Sequence, residues 1–268
     1  MFSRILAAAF IASIPGAALA AEPLQPTSKW NVEYDVAQCI ASRNYGTEEK
    51  PLLLILKPSP MFGKVMRVLV LRDGGYSGGA DEVQASLQFG DSPRIRASGL
   101  KIKSKDNKQT VFSFNVPTDE LKARAQAKTI TLETSGLDVT FALSSVSGLL
   151  AELEKCRLNL LQVYHAGGSD IREKASPLEP LSSIFSSKDY PMPRSTYYNQ
   201  GRAVVSILVD ENGKVRDCSI ADSAGAATLD AMSCHIIQER ASFRPAIGVD
   251  GKPSRSVYVQ TIVWRLDR

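Results

Sequence analysis

Half of the chain's four cysteines and one of its two histidines lie in the stretch "DCSIADSAGAATLDAMSCHII". Cys218, Cys234 and His235 suggest three kinds of chemistry: a thiolate with a histidine base, a zinc site, or a disulfide. A nucleophilic cysteine needs an ordered base within hydrogen-bond reach, but Cys234 and His235 are adjacent on a predicted helix, where consecutive side chains point about 100° apart. Zinc prefers four ligands, and only three residues are present. The pattern therefore favours a disulfide.

The rest of the sequence offers no stronger candidate for catalysis. Ser223 does not lie in a G-x-S-x-G turn, and the glycine runs "DGGYSGGAD" and "HAGGSD" lack the Lys-Ser/Thr pair of a phosphate loop. Ser223 or Thr228 is expected instead to cap the helix that follows. We predict a non-enzymatic protein with no catalytic, cofactor-binding or metal-binding residues.

Residues 1–20 have the pattern of a secretory signal peptide. Arg4 precedes an apolar run, and small residues at Ala18 and Ala20 predict cleavage after Ala20. A retained anchor is the weaker alternative, because the run contains Pro15 and Gly16 and is shorter than the roughly 20 apolar residues that a spanning helix needs. The mature chain is expected in the periplasm of a Gram-negative bacterium, without a membrane span.

An exported chain meets an oxidising compartment, so an even number of cysteines predicts disulfides. Four cysteines allow three pairings. Cys39 and Cys156 lie before about residue 165, and Cys218 and Cys234 lie after it. We predict the pairs Cys39–Cys156 and Cys218–Cys234, because pairing within each half needs no bridge between domains.

Net charge and hydrophobic periodicity predict the fold class and the domain organisation. A formal net charge of +4 is too small to indicate a nucleic-acid partner. After the signal peptide, residues 21–164 consist mainly of short alternating apolar runs, typical of an antiparallel sandwich or barrel, with helices expected over residues 118–127 and 145–161. We predict an α+β protein: a β-rich, sandwich-like N-terminal domain, a linker over residues 165–187, and a small C-terminal domain over residues 188–268.

The C-terminal domain is predicted to follow the order strand, strand, helix, strand. "GRAVVSILVD" and "GKVRDCSIA" alternate with period two, and Asn212-Gly213 between them is expected to supply the positive φ angles of a tight hairpin. Residues 228–240 place apolar side chains on one helical face. "RSVYVQTIVWRL" is a long alternating strand that ends the domain.

Six short motifs follow one another in this domain: "YP" at Tyr190-Pro191, Gly201 before a Val-rich strand, "VDENGKV", "DSAG" followed by "LD", "FRPA" and "DGKP". In order and spacing they resemble the TonB C-terminal domain, over about 80 residues from Tyr190 to Leu266. The resemblance implies a small α/β fold that binds an extended peptide of outer-membrane transporters as a strand beside its last strand. The chain is expected to differ from a TonB energy transducer, which has an uncleaved anchor and a long Pro-rich spacer, because its signal looks cleavable and its predicted linker is short.

The resemblance, together with the unpaired backbone groups of any sheet edge, implies a periplasmic protein-binding module. Its partner would be a protein or peptide, such as a segment of an outer-membrane TonB-dependent transporter, with a possible link to transmembrane transport. The alternative is a structural or regulatory envelope protein whose C-terminal domain forms a homodimer. The residues expected to contact the partner strand are Val257, Tyr258, Val259, Gln260, Thr261, Ile262 and Val263.

Overall fold

The computed structural model describes residues 22–104, 106–191 and 200–265. Strands predominate over the three α-helices of this part of the chain. The predicted strand-rich α+β class is therefore confirmed. The predicted signal peptide, residues 1–20, lies outside the described residues. Searching the described residues gives no helix of sufficient length and apolarity to cross a membrane.

The N-terminal strands form one antiparallel sheet with the order β1-β2-β3-β4-β7-β6-β5-β8-β9. One short helix precedes β8 and a long helix follows β9. In chain order the elements are β1 (Asn31–Tyr34), β2 (Cys39–Gly46), β3 (Pro51–Pro58), β4 (Val65–Asp73), β5 (Asp81–Phe89), β6 (Ile95–Lys103), β7 (Gln109–Pro117), α1 (Thr118–Ala123), β8 (Thr129–Thr134), β9 (Leu137–Ala142) and α2 (Val146–Val163).

The two ends of this sheet are joined by residues 24–26. Leu24 forms a β-bridge with Phe141 of β9, and Pro26 forms one with Tyr45 of β2. The hydroxyl of Tyr45 donates a hydrogen bond to the carbonyl of Ala142 at 3.0 Å across the same junction. The strand pairing thus gives one sheet that curls around a single core, rather than two separate sheets.

Buried residues alternate with more exposed ones along these strands, so every second side chain lies inside this core. Val70, Phe112, Phe114 and Phe141 are fully buried there. Helix α2 packs against the core, and Cys156 at its buried face is bonded to Cys39 at the start of β2. This predicted pair is confirmed, and it links residues 117 positions apart.

The C-terminal unit has a central antiparallel sheet with the order β13-β12-β17, packed against one helix. Two 3-10 helices, Leu181–Ile184 and Ser187–Asp189, precede the sheet. In chain order the other elements are β10 (Ile171–Glu173), β11 (Ser176–Pro177), β12 (Gly201–Val209), β13 (Val215–Asp222), α3 (Ala227–Arg240), β14 (Phe243–Arg244), β15 (Ala246–Gly248), β16 (Pro253–Ser254) and β17 (Ser256–Trp264).

The turn between β12 and β13 differs in detail from the predicted hairpin. Gly213 has a φ of 77°, but Asn212 is not among the described residues with positive φ. The turn is held by Asp210, whose carboxylate accepts hydrogen bonds from the backbone N–H of Asn212 and of Lys214, both at 2.9 Å. A Cβ at Gly213 would lie 2.0 Å from the carbonyl oxygen of Phe243, so this close approach requires glycine.

The expected cap of α3 is also corrected. The N-cap residue is Ala226, with no side-chain cap. Ser223 donates its hydroxyl hydrogen bond to Asp230 at 2.7 Å, and Thr228 donates to Glu82 of β5 at 2.8 Å. Both hydroxyls are engaged by carboxylates, one of them in the N-terminal unit, instead of by the helix backbone.

The segment predicted as a linker, residues 165–187, is structured along most of its length. β10 pairs with β15, and β11 pairs with β14. Ala175 and Leu181 are buried in the C-terminal core. Most of the segment is therefore built into the C-terminal unit.

Candidate functional site

The predicted partner-binding residues, Val257 to Val263, lie within β17 at one edge of the C-terminal sheet. β17 pairs with β12 along its whole length, from Ser256 opposite Val209 to Trp264 opposite Gly201. Among the described residues, no strand pairs with the other side of β17. In an antiparallel edge strand, every second residue directs its N–H and C=O away from the neighbouring strand. β17 therefore presents, on this side, a row of backbone donors and acceptors that no strand of the described residues pairs with.

The side chains of β17 alternate between two environments. Ile262 and Trp264 are buried in the C-terminal core, and Tyr258 packs against it. Val259 and Val263 lie on the opposite face and are 39% and 61% exposed. Among the described residues, the edge therefore combines backbone groups without a partner strand and exposed β-branched side chains, which favour pairing with a further strand.

A groove of about 610 Å³ runs along the second half of β17. One wall is formed by residues 260–265, and the other by the two 3-10 helices, with Leu181 and Phe185 among the lining side chains. The rings of Phe185 and Tyr190 meet Trp264 edge to face, with centroids 5.7 and 5.5 Å away. The indole N–H of Trp264 donates to Ser233 of α3 at 2.8 Å. These contacts fix an aromatic lining next to the open edge.

An ion pair fixes the wall of the groove to α3. Arg240, in the last turn of α3, donates two hydrogen bonds to the carboxylate of Asp189, at 2.7 and 2.8 Å. The same carboxylate accepts the backbone N–H of Ser186 at 2.8 Å. The hydrogen bonds from Arg240 and then Ser186 lower the pKa of Asp189 well below its usual range. The two 3-10 helices are thus held beside β17 by more than apolar packing.

The opposite edge of the same sheet is covered. Asp217 of β13 accepts an ion-paired hydrogen bond from Lys57 of β3 at 2.8 Å. Asp217, Ser219 and Ala221 are buried, and β13 lies against the outer face of β4. The N-terminal unit therefore covers β13, whereas no strand of the described residues lies beside β17 on its outer side.

The residues considered for chemistry have structural roles. Cys218 and Cys234 are bonded to each other, as predicted, and join β13 to α3. Neither thiol is available as a nucleophile or metal ligand. His235 is exposed and lies 3.4 Å from Glu239, one turn later on α3. The stretch that resembled a reactive site therefore supports the sheet that carries the open edge.

Sequence reasoning missed the groove wall. Leu181 and Phe185 were assigned to a linker because the surrounding sequence, "PLEPLSSIFSSKD", is rich in Ser and Pro. The apolar residues within it are the signal that was available. Spaced apolar side chains in a polar segment indicate that it packs on something.

Three comparisons with known proteins bear on this site. Residues 186–266 match the family described as Gram-negative bacterial TonB protein C-terminal. The comparisons with curated proteins and with solved structures gave no match. The matched segment includes the second 3-10 helix of the groove wall, α3 and the whole of β17. Members of the family are non-enzymatic protein-interaction domains of the cell envelope. The C-terminal part of this chain, residues 186–266, is therefore similar to the TonB C-terminal domain, as the six motifs predicted.

Proposed function

We propose that the protein binds an extended peptide of a partner protein as an added strand along β17. The observation that carries this proposal is the contrast between the two edges of the C-terminal sheet: β13 is covered by the N-terminal unit, whereas β17 is unpaired among the described residues. Strand addition uses such an edge for backbone hydrogen bonds and adjacent pockets for side chains. The groove beside Trp264 supplies a pocket of that kind.

The proposed contacts divide between the residues of β17. Its outward N–H and C=O groups would pair with the peptide backbone, over the range from Val257 to Val263. Val259, Thr261 and Val263 would contact side chains on one face of the added strand. Those on the other face would enter the groove that Phe185 and Trp264 line. Such a site favours an extended segment with apolar or aromatic residues at alternate positions.

The proposed partner is a periplasm-facing segment of an outer-membrane TonB-dependent transporter. The family match supports this choice, and so does the predicted signal peptide, which would deliver the mature chain, residues 21–268, to the periplasm after cleavage. In this proposal the N-terminal unit, residues 21–164, carries a binding unit that comprises residues 188–268 and most of residues 165–187. The protein would contribute to transmembrane transport by holding transporter segments rather than by catalysis.

Backbone hydrogen exchange of residues 21–268 tests strand addition directly. A synthetic peptide from the periplasmic N-terminal segment of such a transporter should slow exchange of alternate amides in β17. Amides of β1, an edge strand of the other sheet, serve as the matched control and should not change. Protection that misses β17, or no protection with any transporter peptide, would reject the proposal.

Site-specific photocrosslinking in cells tests the partner. Gln260 lies on β17, and Gln238 lies exposed on α3, so the same crosslinker at the two glutamines forms a matched pair. Capture of a transporter at position 260 and not at 238 supports the proposal. Equal capture at both positions, or none at 260, contradicts it.

Self-association is the competing function. Val259 and Val263 are exposed apolar side chains on an open edge, and two copies of β17 could pair with each other. In that case the crosslinker at Gln260 would capture a second copy of the chain. Sedimentation would then give a dimer that dissociates when Val263 is replaced by Lys.

A further inference from the structure

A cavity of about 450 Å³ lies between the two units, away from β17. Its N-terminal wall is the outer face of β3, β4, β6 and β7, and its C-terminal wall is formed by β13 and α3. The size falls in the range of small-molecule sites. Its charged and amide-bearing lining side chains include Lys57, Arg67, Asn115, Arg216, Asp217 and Asp230.

Three of these residues form a row across neighbouring strands. Lys57 of β3 is opposite Arg67 of β4, which is opposite Asn115 of β7. Lys57 donates to Asp217 at 2.8 Å, and Asn115 donates to Asp230 at 3.1 Å. Both ends of the row are therefore engaged with the C-terminal unit. Arg67, in the middle, makes no side-chain hydrogen bond or ion pair within the described residues.

The two carboxylates of the cavity are already satisfied by other groups. Asp217 accepts from Lys57 and, at 2.5 Å, from the hydroxyl of Ser219. Asp230 accepts from the backbone N–H of Ala224 at 2.8 Å, from Ser223 at 2.7 Å and from Asn115 at 3.1 Å. Their negative charge offsets part, but not all, of the charge of the three basic side chains. The excess positive charge lies with Arg67 and Arg216.

A guanidinium removed from bulk water is stable when it is paired or hydrogen-bonded. Burial lowers the pKa of Arg67, and the nearby carboxylates of Asp217 and Asp230 only partly oppose this effect. A planar guanidinium matches carboxylate and phosphate groups, with which it forms two parallel hydrogen bonds. Arg67 therefore presents its donors to a cavity in which nothing described accepts them.

We propose that the cavity between the two units binds a small anionic molecule, whose carboxylate or phosphate group pairs with Arg67. Arg216 and Gln238 line the opposite wall and would contact the rest of the molecule. The ligand would touch both units at once. Its binding would stabilise their contact and give the N-terminal unit a ligand-dependent role beside the peptide-binding domain.

Calorimetric titration of residues 21–268 tests this site. Inorganic phosphate and acetate are the two probes, each added at constant ionic strength maintained with sodium chloride. We expect saturable binding of at least one probe and a rise in Tm with its concentration. The probe that binds more tightly identifies the anionic group. Arg67→Gln should weaken binding about tenfold to a hundredfold, because hydrogen bonds to charged groups contribute this much.

Arg96→Gln is the matched control, because Arg96 is exposed on β6 and does not line this cavity. This variant should bind the probe like the original chain. Arg67→Lys keeps the charge but loses the planar fork of the guanidinium, and should bind more weakly than the original chain.

If Arg67 only supports the interface, Arg67→Gln will lower Tm while neither probe binds saturably to the original chain. That result, or equal binding by Arg67→Gln, would overturn the proposal. The titration of the original chain decides the matter even if Arg67→Gln fails to fold.

Discussion

The two units differ in what happens at the edges of their sheets. In the N-terminal sheet, residues 24–26 bridge β9 and β2, so the two ends of the sheet come together. In the C-terminal sheet, β13 lies against the N-terminal unit and β17 has no second neighbour among the described residues. Natural proteins usually protect long edges, because an open edge invites pairing with other chains. β17 is nine residues long, and its lack of a second neighbour among the described residues is the feature on which the proposed strand addition rests.

The comparison extends to how each unit is stabilised. The N-terminal sheet surrounds its own core. The C-terminal unit uses both faces of β12: Ile207 faces its own core, while Leu208, the next residue, belongs to the N-terminal core. Val257 on β17 packs against the N-terminal core as well. The open edge therefore belongs to a sheet that is supported from both sides, which keeps its geometry fixed before a partner arrives.

The largest expected effect follows from removing the disulfide of the closed unit. Replacing Cys39 and Cys156 together by Ala should lower the free energy of unfolding of the N-terminal unit by about 4 to 5 kcal/mol, because the bond closes a very long loop. Urea denaturation, with hydrogen exchange to locate the loss, measures this effect. A loss concentrated in the C-terminal unit would contradict the separation of the two cores.

A smaller effect is expected from the disulfide of the open unit. Cys218 and Cys234 are 16 positions apart, and replacing both by Ala should cost about 3 kcal/mol by the same chain-entropy argument. The change should speed exchange in β13 and α3 but leave the N-terminal sheet unaffected. Uniformly faster exchange in both units would mean that they unfold as one, and the comparison would fail.

Part of this architecture was predictable from local patterns. The alternation in "RSVYVQTIVW" predicted both the strand β17 and its two faces, since Ile262 and Trp264 are buried and Val259 and Val263 are exposed. The pairing of the cysteines followed from their positions along the chain and the predicted compartment. The strand depends on neighbouring residues, and the cysteine pairing needed only the approximate boundary between the two halves of the chain, so both could be predicted from a single sequence.

Contacts between distant residues were not predictable in this way. Lys57 and Asp217 are 160 positions apart, and Asn115 and Asp230 are 115 apart. From the sequence alone, each of these four residues looks like a solvated polar residue on an exposed strand face or helix. Only the contact between the two units brings the partners together. The closure of the N-terminal sheet depends on two isolated bridges at Leu24 and Pro26, which leave no periodic signal. The interface and its cavity therefore emerge only from the folded chain.

Two neighbouring residues of β12 make it possible to test the two cores independently. Leu208→Ala should cost about 2 to 3 kcal/mol, because it leaves a cavity where the C-terminal sheet meets the N-terminal core. Ile207→Ala is the matched variant and should cost a similar amount within the C-terminal core alone. Denaturation followed by hydrogen exchange should show loosening of the interface for Leu208→Ala only. Identical exchange patterns for the two variants would contradict the opposite orientation of these side chains.

The smallest effect on stability, and the most selective effect on binding, is expected at the open edge. Val263→Lys should change the free energy of unfolding by no more than about 0.5 kcal/mol, because Val263 is 61% exposed and surface substitutions are usually tolerated. It should nevertheless weaken transporter-peptide binding about tenfold, because a charged lysine on an edge strand discourages pairing. Val249→Lys, at a position 68% exposed in the turn between β15 and β16, is the matched control and should bind the peptide normally.

Equal affinities of the two variants, measured by calorimetry, would show that the peptide does not pair with β17. A stability loss of several kcal/mol on Val263→Lys would mean that this edge is covered in the folded protein, as β13 is.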